Sequence, residues 1–257
     1  MNTATEVINL FWTGGWDSTF RLLQLLIKQN KIVQPHYLID ASRKSIYQEL
    51  VTIRNIKREI FSCFPDTRKR LFPTKIMDII DLPLNPAITE SALRLKTKLD
   101  LGSQYDWLAR YCYIQGVRNT ELGITRGENL TKIIEPLCTF SGDGEDIIYQ
   151  VNEQFKGTDE YSVFGWFRFP LLYLSKLDMQ KIAWEDGFQD IMRMTWFCHR
   201  PGRRNTPCGL CAPCENTIER GIGWRVPRHN RIKYYLLKYI KRIPPVNKLH
   251  LFRLILI

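Results

Sequence analysis

Histidine is scarce in this 257-residue chain, with four residues, and no apolar run approaches the ~20 residues that a membrane-spanning helix needs. No stretch combines a basic start, an apolar core and a small-residue cleavage site, so no secretory leader is expected and a reducing, cytoplasmic setting is. Repeats and low-complexity tracts are absent too. At 44% hydrophobic and 25% charged residues, the composition suits one sizeable α/β domain, or such a domain with a small appendage. One absence is regional. From Arg220 to the end there are ten Lys or Arg and no Asp or Glu, which accounts for ten of the eleven net positive charges. Such a segment suits a polyanionic partner, either nucleic acid or an anionic membrane surface. It reads equally as a solvated basic face or a dimer arm.

What is present begins with seven cysteines. Cys63, Cys112 and Cys138 are scattered and read as small buried hydrophobes. Cys198, Cys208, Cys211 and Cys214 are not scattered: they follow a C-x9-C-x2-C-x2-C spacing. The two short steps bring three thiolates around one point, and the longer loop returns the fourth to complete a tetrahedron. Gly209 permits the tight turn between ligands. Zinc suits four thiolates with no open position, while an iron–sulfur cluster shares the ligand type. His199 is a substitute ligand or a bystander, and Arg203 and Arg204 would soften the charge of the centre.

Strand and helix signals alternate along most of the chain. Apolar runs at Val7–Trp12, Pro35–Ala41, Thr74–Ile80 and Glu121–Thr125 read as strands. Helical periodicity marks Asp17–Gln29, Ser45–Phe61 and Gln104–Arg118. Ser175 and Asp178 form a capping-box signature before a helix that stops at Gly187. This alternation predicts a doubly wound, mainly parallel sheet with helices on both faces. Leu82–Ser103 and the acidic turn Ser141–Asp146 read as irregular insertions.

In such sheets ligands sit beyond the carboxyl ends of the strands, where "TGGWDST" (Thr13–Thr19) falls. Glycines after a strand let backbone approach a ligand, and the following helix directs unpaired N–H groups and its positive dipole end there. Thr13, Ser18 and Thr19 add hydroxyls. A tight turn capped by Asp17 and Ser18 is the plainer alternative. A Walker loop is excluded because no Lys lies between Gly14 and Lys28, and a dinucleotide fingerprint because only the adjacent glycine pair exists.

The segment resembles the SGGxDS loop of the PP-loop ATP pyrophosphatases, with Thr13 in place of the first Ser. With the late cysteine cluster and Pro170, Leu171, Ser175, Lys176, Gly187, Thr195 and Cys198 in matching order, the chain resembles a divergent member of the 7-cyano-7-deazaguanine synthase family. The resemblance covers roughly residues 5–61 and 168–222 and leaves the middle divergent. It implies an adenine nucleotide α-hydrolase-like sheet over residues 1–197 and a zinc knuckle over 198–224, beyond which the charge pattern marks a basic tail over 225–257. It implies ATP with Mg2+ as cosubstrate and structural Zn2+. Thr13, Gly14, Gly15, Asp17, Ser18 and Thr19 would hold the pyrophosphate, with Asp17, Ser18 and Lys176 in catalytic roles. The activity implied is adenylation of a carboxylate, such as a 7-deazapurine acid, then amidation by ammonia, and by a second activation a nitrile.

Two other readings stay open: a PP-loop enzyme that modifies nucleic acid, and a non-catalytic zinc-stabilised binding module. In the tail, "RIKYYLLKYIKRI" reads as an amphipathic helix, with Ile232, Tyr235, Leu236 and Ile240 on one face; such a helix either packs that face on the parent domain or a second subunit, or lies on a membrane or a nucleic acid backbone. Lys233, Lys238, Lys241 and Arg242 lie towards another face. Pro244-Pro245 end the helix ahead of "LHLFRLILI".

Overall fold

The computed structural model describes residues 6–99, 101–143, 146–202 and 205–242, without the side chains of Lys241 and Arg242. Arg203, Arg204, the tip of the acidic turn (Gly144, Glu145) and residues 243–257 of the basic tail lie outside the described residues. The chain divides into two units, Met1–Ser42 with Ile46–Trp196, and Arg43–Ser45 with Phe197–Ile257.

In the first unit, strands and helices follow one another as β1 (Val7–Phe11), α1 (Trp16–Leu23), β2 (Ile32–Ile39), α2 (Ile46–Cys63) and β3 (Lys75–Asp78). Helices α3 (Pro86–Leu99) and α4 (Gln104–Gln115) lead to β4 (Thr120–Glu121) and α5 (Asn129–Ile134). An antiparallel hairpin, β5 (Cys138–Ser141) and β6 (Ile148–Val151), then precedes α6 (Asp159–Phe164), β7 (Phe167–Arg168), α7 (Lys176–Glu185) and α8 (Gln189–Arg193). The main sheet has the order β3-β2-β1-β4-β7, and every pairing in it is parallel. The winding direction therefore reverses between β1 and β4, the arrangement of a doubly wound sheet.

Period-two alternation along β1 explains the two cores. Phe11 belongs to a buried cluster with Leu38, Leu95, Leu108, Tyr111 and Phe167, under α3, α4 and α6. Leu10 and Trp12 face the other way, where α1, α2, α7 and α8 touch one another and bury Leu23, Ile56, Ile60, Met179 and Ala183. Pro35 is tolerated inside β2 because Trp12 N–H reaches His36 O (2.9 Å), which turns the missing Pro35 N–H towards β3. On that side the ladder starts only at His36–Lys75, and the Gln34 amide donates to Pro73 O (2.7 Å).

Two expectations are corrected. Pro86–Leu99 is a helix, not irregular chain: Asn85 Oδ1 accepts from Ile88 N–H (3.2 Å), Pro86 opens the first turn, and Ile88, Ser91 and Leu95 form its buried stripe. A charged outer face diluted that periodicity. The acidic turn at Ser141–Asp146 is the bend between β5 and β6, with Gly142 at φ +83°.

The second unit contains α9 (Ala212–Thr217) and α10 (Arg228–Arg242) around a small core of Ile218, Val226 and Tyr234, against which Phe197 packs. Of the four residues expected on the buried face of the basic helix, Ile240 alone is buried, and the helix packs through Tyr234 instead. Tyr234 and Ile240 point inward, whereas Ile232, Tyr235 and Leu236 are exposed. The reason is local: Tyr234 finds both an apolar seat and a hydrogen-bond acceptor, Glu219. No described helix is long and apolar enough to cross a membrane.

Candidate functional site

The loop between β1 and α1 leaves the sheet at the switch point. Gly14 adopts φ +72°, and a Cβ there would stand 3.0 Å from Thr52 Cγ2. Both the conformation and the approach of α2 demand glycine. A Cβ on Gly15 would meet Thr13 Oγ1 at 3.2 Å, so the Thr13 hydroxyl leans across that glycine. Gly14 O accepts from Trp196 N–H (3.0 Å), which ties the turn from behind.

Helix α1 begins directly after Gly15. Its first hydrogen bond runs from Thr19 N–H to Gly15 O (3.0 Å), so helical geometry gives the N–H groups of Asp17 and Ser18 no partner within the helix. These donors and the helix dipole meet beside the exposed Thr13. Thr19 does not line this mouth. It is buried, and its Oγ1 accepts from Trp12 Nε1 (3.0 Å), bracing the incoming strand.

Two further segments, distant in sequence, reach the same place. The loop after β4 brings Gly123, where a Cβ would stand 3.2 Å from Asp17 Cβ and 3.4 Å from Ser18 N. From the carboxyl end of β7 the chain runs to Ser175, which caps α7 by the predicted reciprocal box with Asp178. Lys176, the first residue of α7, places its Nζ 2.5 Å from both carboxylate oxygens of Asp17. Lys176 and Asp17 keep 12% and 21% of their side-chain exposure, so this ammonium is not a solvated helix-surface cation. Its partner Asp17 remains reachable from solvent.

Arg126 links the last two segments, which the sequence left unconnected. Its N–H donates to Leu174 O (3.0 Å) and its guanidinium to Asp178 Oδ2 (2.9 Å). Thr125 Oγ1 donates to Glu128 Oε1 (2.8 Å), and Thr131 Oγ1 to Thr125 O (2.7 Å), which shapes the loop that carries Arg126. The sequence placed Gly123 inside an expected strand, Glu121–Thr125, whereas β4 ends at Glu121 and Gly123 belongs to the loop that follows. Beneath the mouth, Arg21 of α1 makes a bidentate pair with Glu121 at the end of β4 (2.7 and 2.9 Å). Those side chains are 3% and 1% exposed, so the pair fixes helix to strand out of water's reach.

Together, loop, helix start and the Lys176–Asp17 ion pair form a cradle at the carboxyl ends of β1, β4 and β7. Chemically it is suited to a polyanion held by backbone donors. Of the scattered cysteines, Cys112 is buried and Cys138 half-buried, and burial pushes both up to about 12, whereas Cys63, expected to be buried, is exposed. His36 lies deeper, on β2. The Tyr111 hydroxyl donates to its Nδ1 (2.6 Å) and its Nε2–H donates to Asn9 Oδ1 (2.9 Å). Burial, reinforced by the Lys75 charge, lowers its pKa to about 4.

In the second unit, the sulfurs of Cys198, Cys208, Cys211 and Cys214 all lie within 4.8 Å of one another. The pairs Cys208–Cys214 and Cys198–Cys211 are each 3.9 Å apart. A tetrahedron with metal–sulfur bonds of about 2.3 Å has edges of about 3.8 Å, so the set fits one ion. A multi-iron cluster spreads its thiolates over several irons and holds them further apart. Backbone N–H groups of Cys208 and Leu210 reach Cys198 Sγ (3.3 Å) and Cys208 Sγ (3.4 Å). Gly209, at φ +78°, turns the chain between ligands, and a Cβ there would stand 2.7 Å from Asn230 O. Hydrogen bonds from Cys198 and Cys214 hold the Cys211 thiol far below its usual range, while the same contacts push Cys198 and Cys214 up. A cation would remove that competition by ionising all four. His199 is not in the group of four.

Compared with known proteins, the chain matches no protein-family profile and no curated sequence.

Proposed function

We propose that the cradle binds the pyrophosphate portion of ATP and that the protein is an ATP-dependent ligase that adenylates a carboxylate and amidates it with ammonia. The observation that carries this reading is the convergence of Gly14–Ser18, Gly123 and Lys176 at the switch point of a parallel sheet, with Lys176 Nζ 2.5 Å from the Asp17 carboxylate. Backbone N–H donors at a helix start are suited to a nucleotide's phosphates, and the resemblance to PP-loop enzymes supplies the chemistry. The N–H groups of Asp17 and Ser18, the Thr13 hydroxyl and the Lys176 ammonium would bind the departing pyrophosphate and stabilise charge as it develops there. Asp17 would orient Lys176, and its carboxylate is the group there that would hold Mg2+. No covalent nucleophile is needed, since positioning the carboxylate against the α-phosphorus supplies much of the rate.

The four cysteines are proposed to hold structural Zn2+, because four thiolates leave no open coordination position. The acceptor is proposed only as a small carboxylate, a 7-deazapurine acid among them, since the middle of the chain diverges from the family it resembles. The test is product analysis with ATP, Mg2+, ammonia and a panel of carboxylates that includes 7-carboxy-7-deazaguanine. AMP and pyrophosphate released only with a carboxylate, together with an amide or nitrile, support the ligase. AMP released only with RNA favours nucleic-acid modification. ATP binding without turnover on any of them leaves a non-catalytic module.

A further inference from the structure

Helix α10 carries Arg228, Arg231, Lys233, Lys238, Lys241 and Arg242 over its 15 residues and has no acidic residue. One face is pinned inside its own unit. Asn230 Nδ2 donates to Pro207 O (2.7 Å) at the cysteine loop, and Tyr234 sits with Ile218 and Val226. The Tyr234 hydroxyl and Lys238 ammonium both donate to Glu219 Oε1. The opposite face is apolar and open. Ile232, Tyr235, Leu236 and Tyr239 recur at helical i, i+3, i+4 and i+7 spacing, and are 51, 57, 49 and 64% exposed.

We propose that this face docks on an anionic lipid surface, with the helix lying in the plane of the headgroups. The arrangement is that of an interfacial helix: an aliphatic and aromatic stripe, tyrosines with polar tips, and cations beside it. Lys233 and Arg228 are exposed at its margins. Charge selects this occupant over two others. A nucleic acid backbone needs cations where contact is closest, whereas the centre of this face is Ile232 and Leu236. A second copy would bring two such helices together, each with six cations and no carboxylate, and like charges would oppose the pairing.

The test uses the full chain with its metal in a sedimentation assay with phosphatidylcholine vesicles, with and without phosphatidylserine. The protein is expected to bind the mixed vesicles, to bind phosphatidylcholine alone far less, and to release as salt rises. Leu236→Glu should lower vesicle affinity by roughly tenfold or more. Lys233→Ala should lower it by about fivefold. Both positions are exposed, so thermal unfolding of either variant should match the parent. Three results would overturn the proposal: no preference for phosphatidylserine, self-association that Leu236→Glu abolishes in the absence of lipid, or RNA binding with no vesicle binding.

Discussion

The cradle and the cysteine knuckle differ in how far along the chain their parts must travel. Lys176 and Asp17 are 159 residues apart in sequence, and Gly123 and Arg126 join them from a third segment. The four thiols come from the single stretch Cys198–Cys214. The knuckle is therefore closed by local spacing, in a geometry that fits one ion, and the cradle by the register of a whole sheet. A locally closed site should fail at once when its centre is removed. A globally held one should weaken by degrees as each brace is taken away.

Removing the proposed zinc from the knuckle should break the comparison most sharply, because a structural zinc contributes on the order of 10 kcal/mol to folding such a module. Chelation, or Cys211→Ser, should abolish amide protection across α9 and α10 in hydrogen exchange while β1, β2 and β4 stay protected. The next largest effect belongs to the buried brace. Glu121→Ala strands the Arg21 guanidinium and should cost about 3–5 kcal/mol in denaturant unfolding. Glu121→Gln, which keeps an acceptor, should cost less.

His36 provides a graded test by pH. With its pKa lowered from 6.5 to about 4, it stays neutral in the fold but takes a proton when unfolded. The stabilisation is thus complete above pH 6.5 and is lost as pH falls from there towards 4. Its size should be about 3 kcal/mol at most. Unfolding midpoints measured across that window should lose this slope in His36→Gln. The smallest expected change in stability is Gly14→Ala, about 1–2 kcal/mol from the left-handed backbone and the Thr52 contact. Although small in the melt, it should disturb ATP binding more than Glu121→Gln does, because it alters the loop itself.

The same contrast explains what could be read from residues alone. Cysteine spacing was legible because metal geometry constrains a few adjacent residues. The strand–glycine–helix step was legible for the same reason, and Ser175–Asp178 carried its cap openly. Gly123 and Arg126 were not, since their roles arise only when β4 lies beside β1 and the loop meets α7. Thr19 looked like another hydroxyl donor, yet helical phase turns it inward to Trp12. In α10, apolar periodicity gave the helix but not its buried side, because Tyr234 combines an apolar seat with a bond to Glu219. The α3 helix was hidden by its charged outer face.

The central claim is that the Gly14–Ser18 loop and Lys176 hold pyrophosphate as it leaves ATP. It is tested most directly by carboxylate-dependent exchange of labelled pyrophosphate into ATP, in the parent, Lys176→Ala and Asp17→Asn proteins. We predict exchange in the parent and a loss of about 10²–10³-fold in each variant, with thermal unfolding little changed. Exchange that persists undiminished in both variants, or no exchange with any carboxylate in the parent, would contradict it.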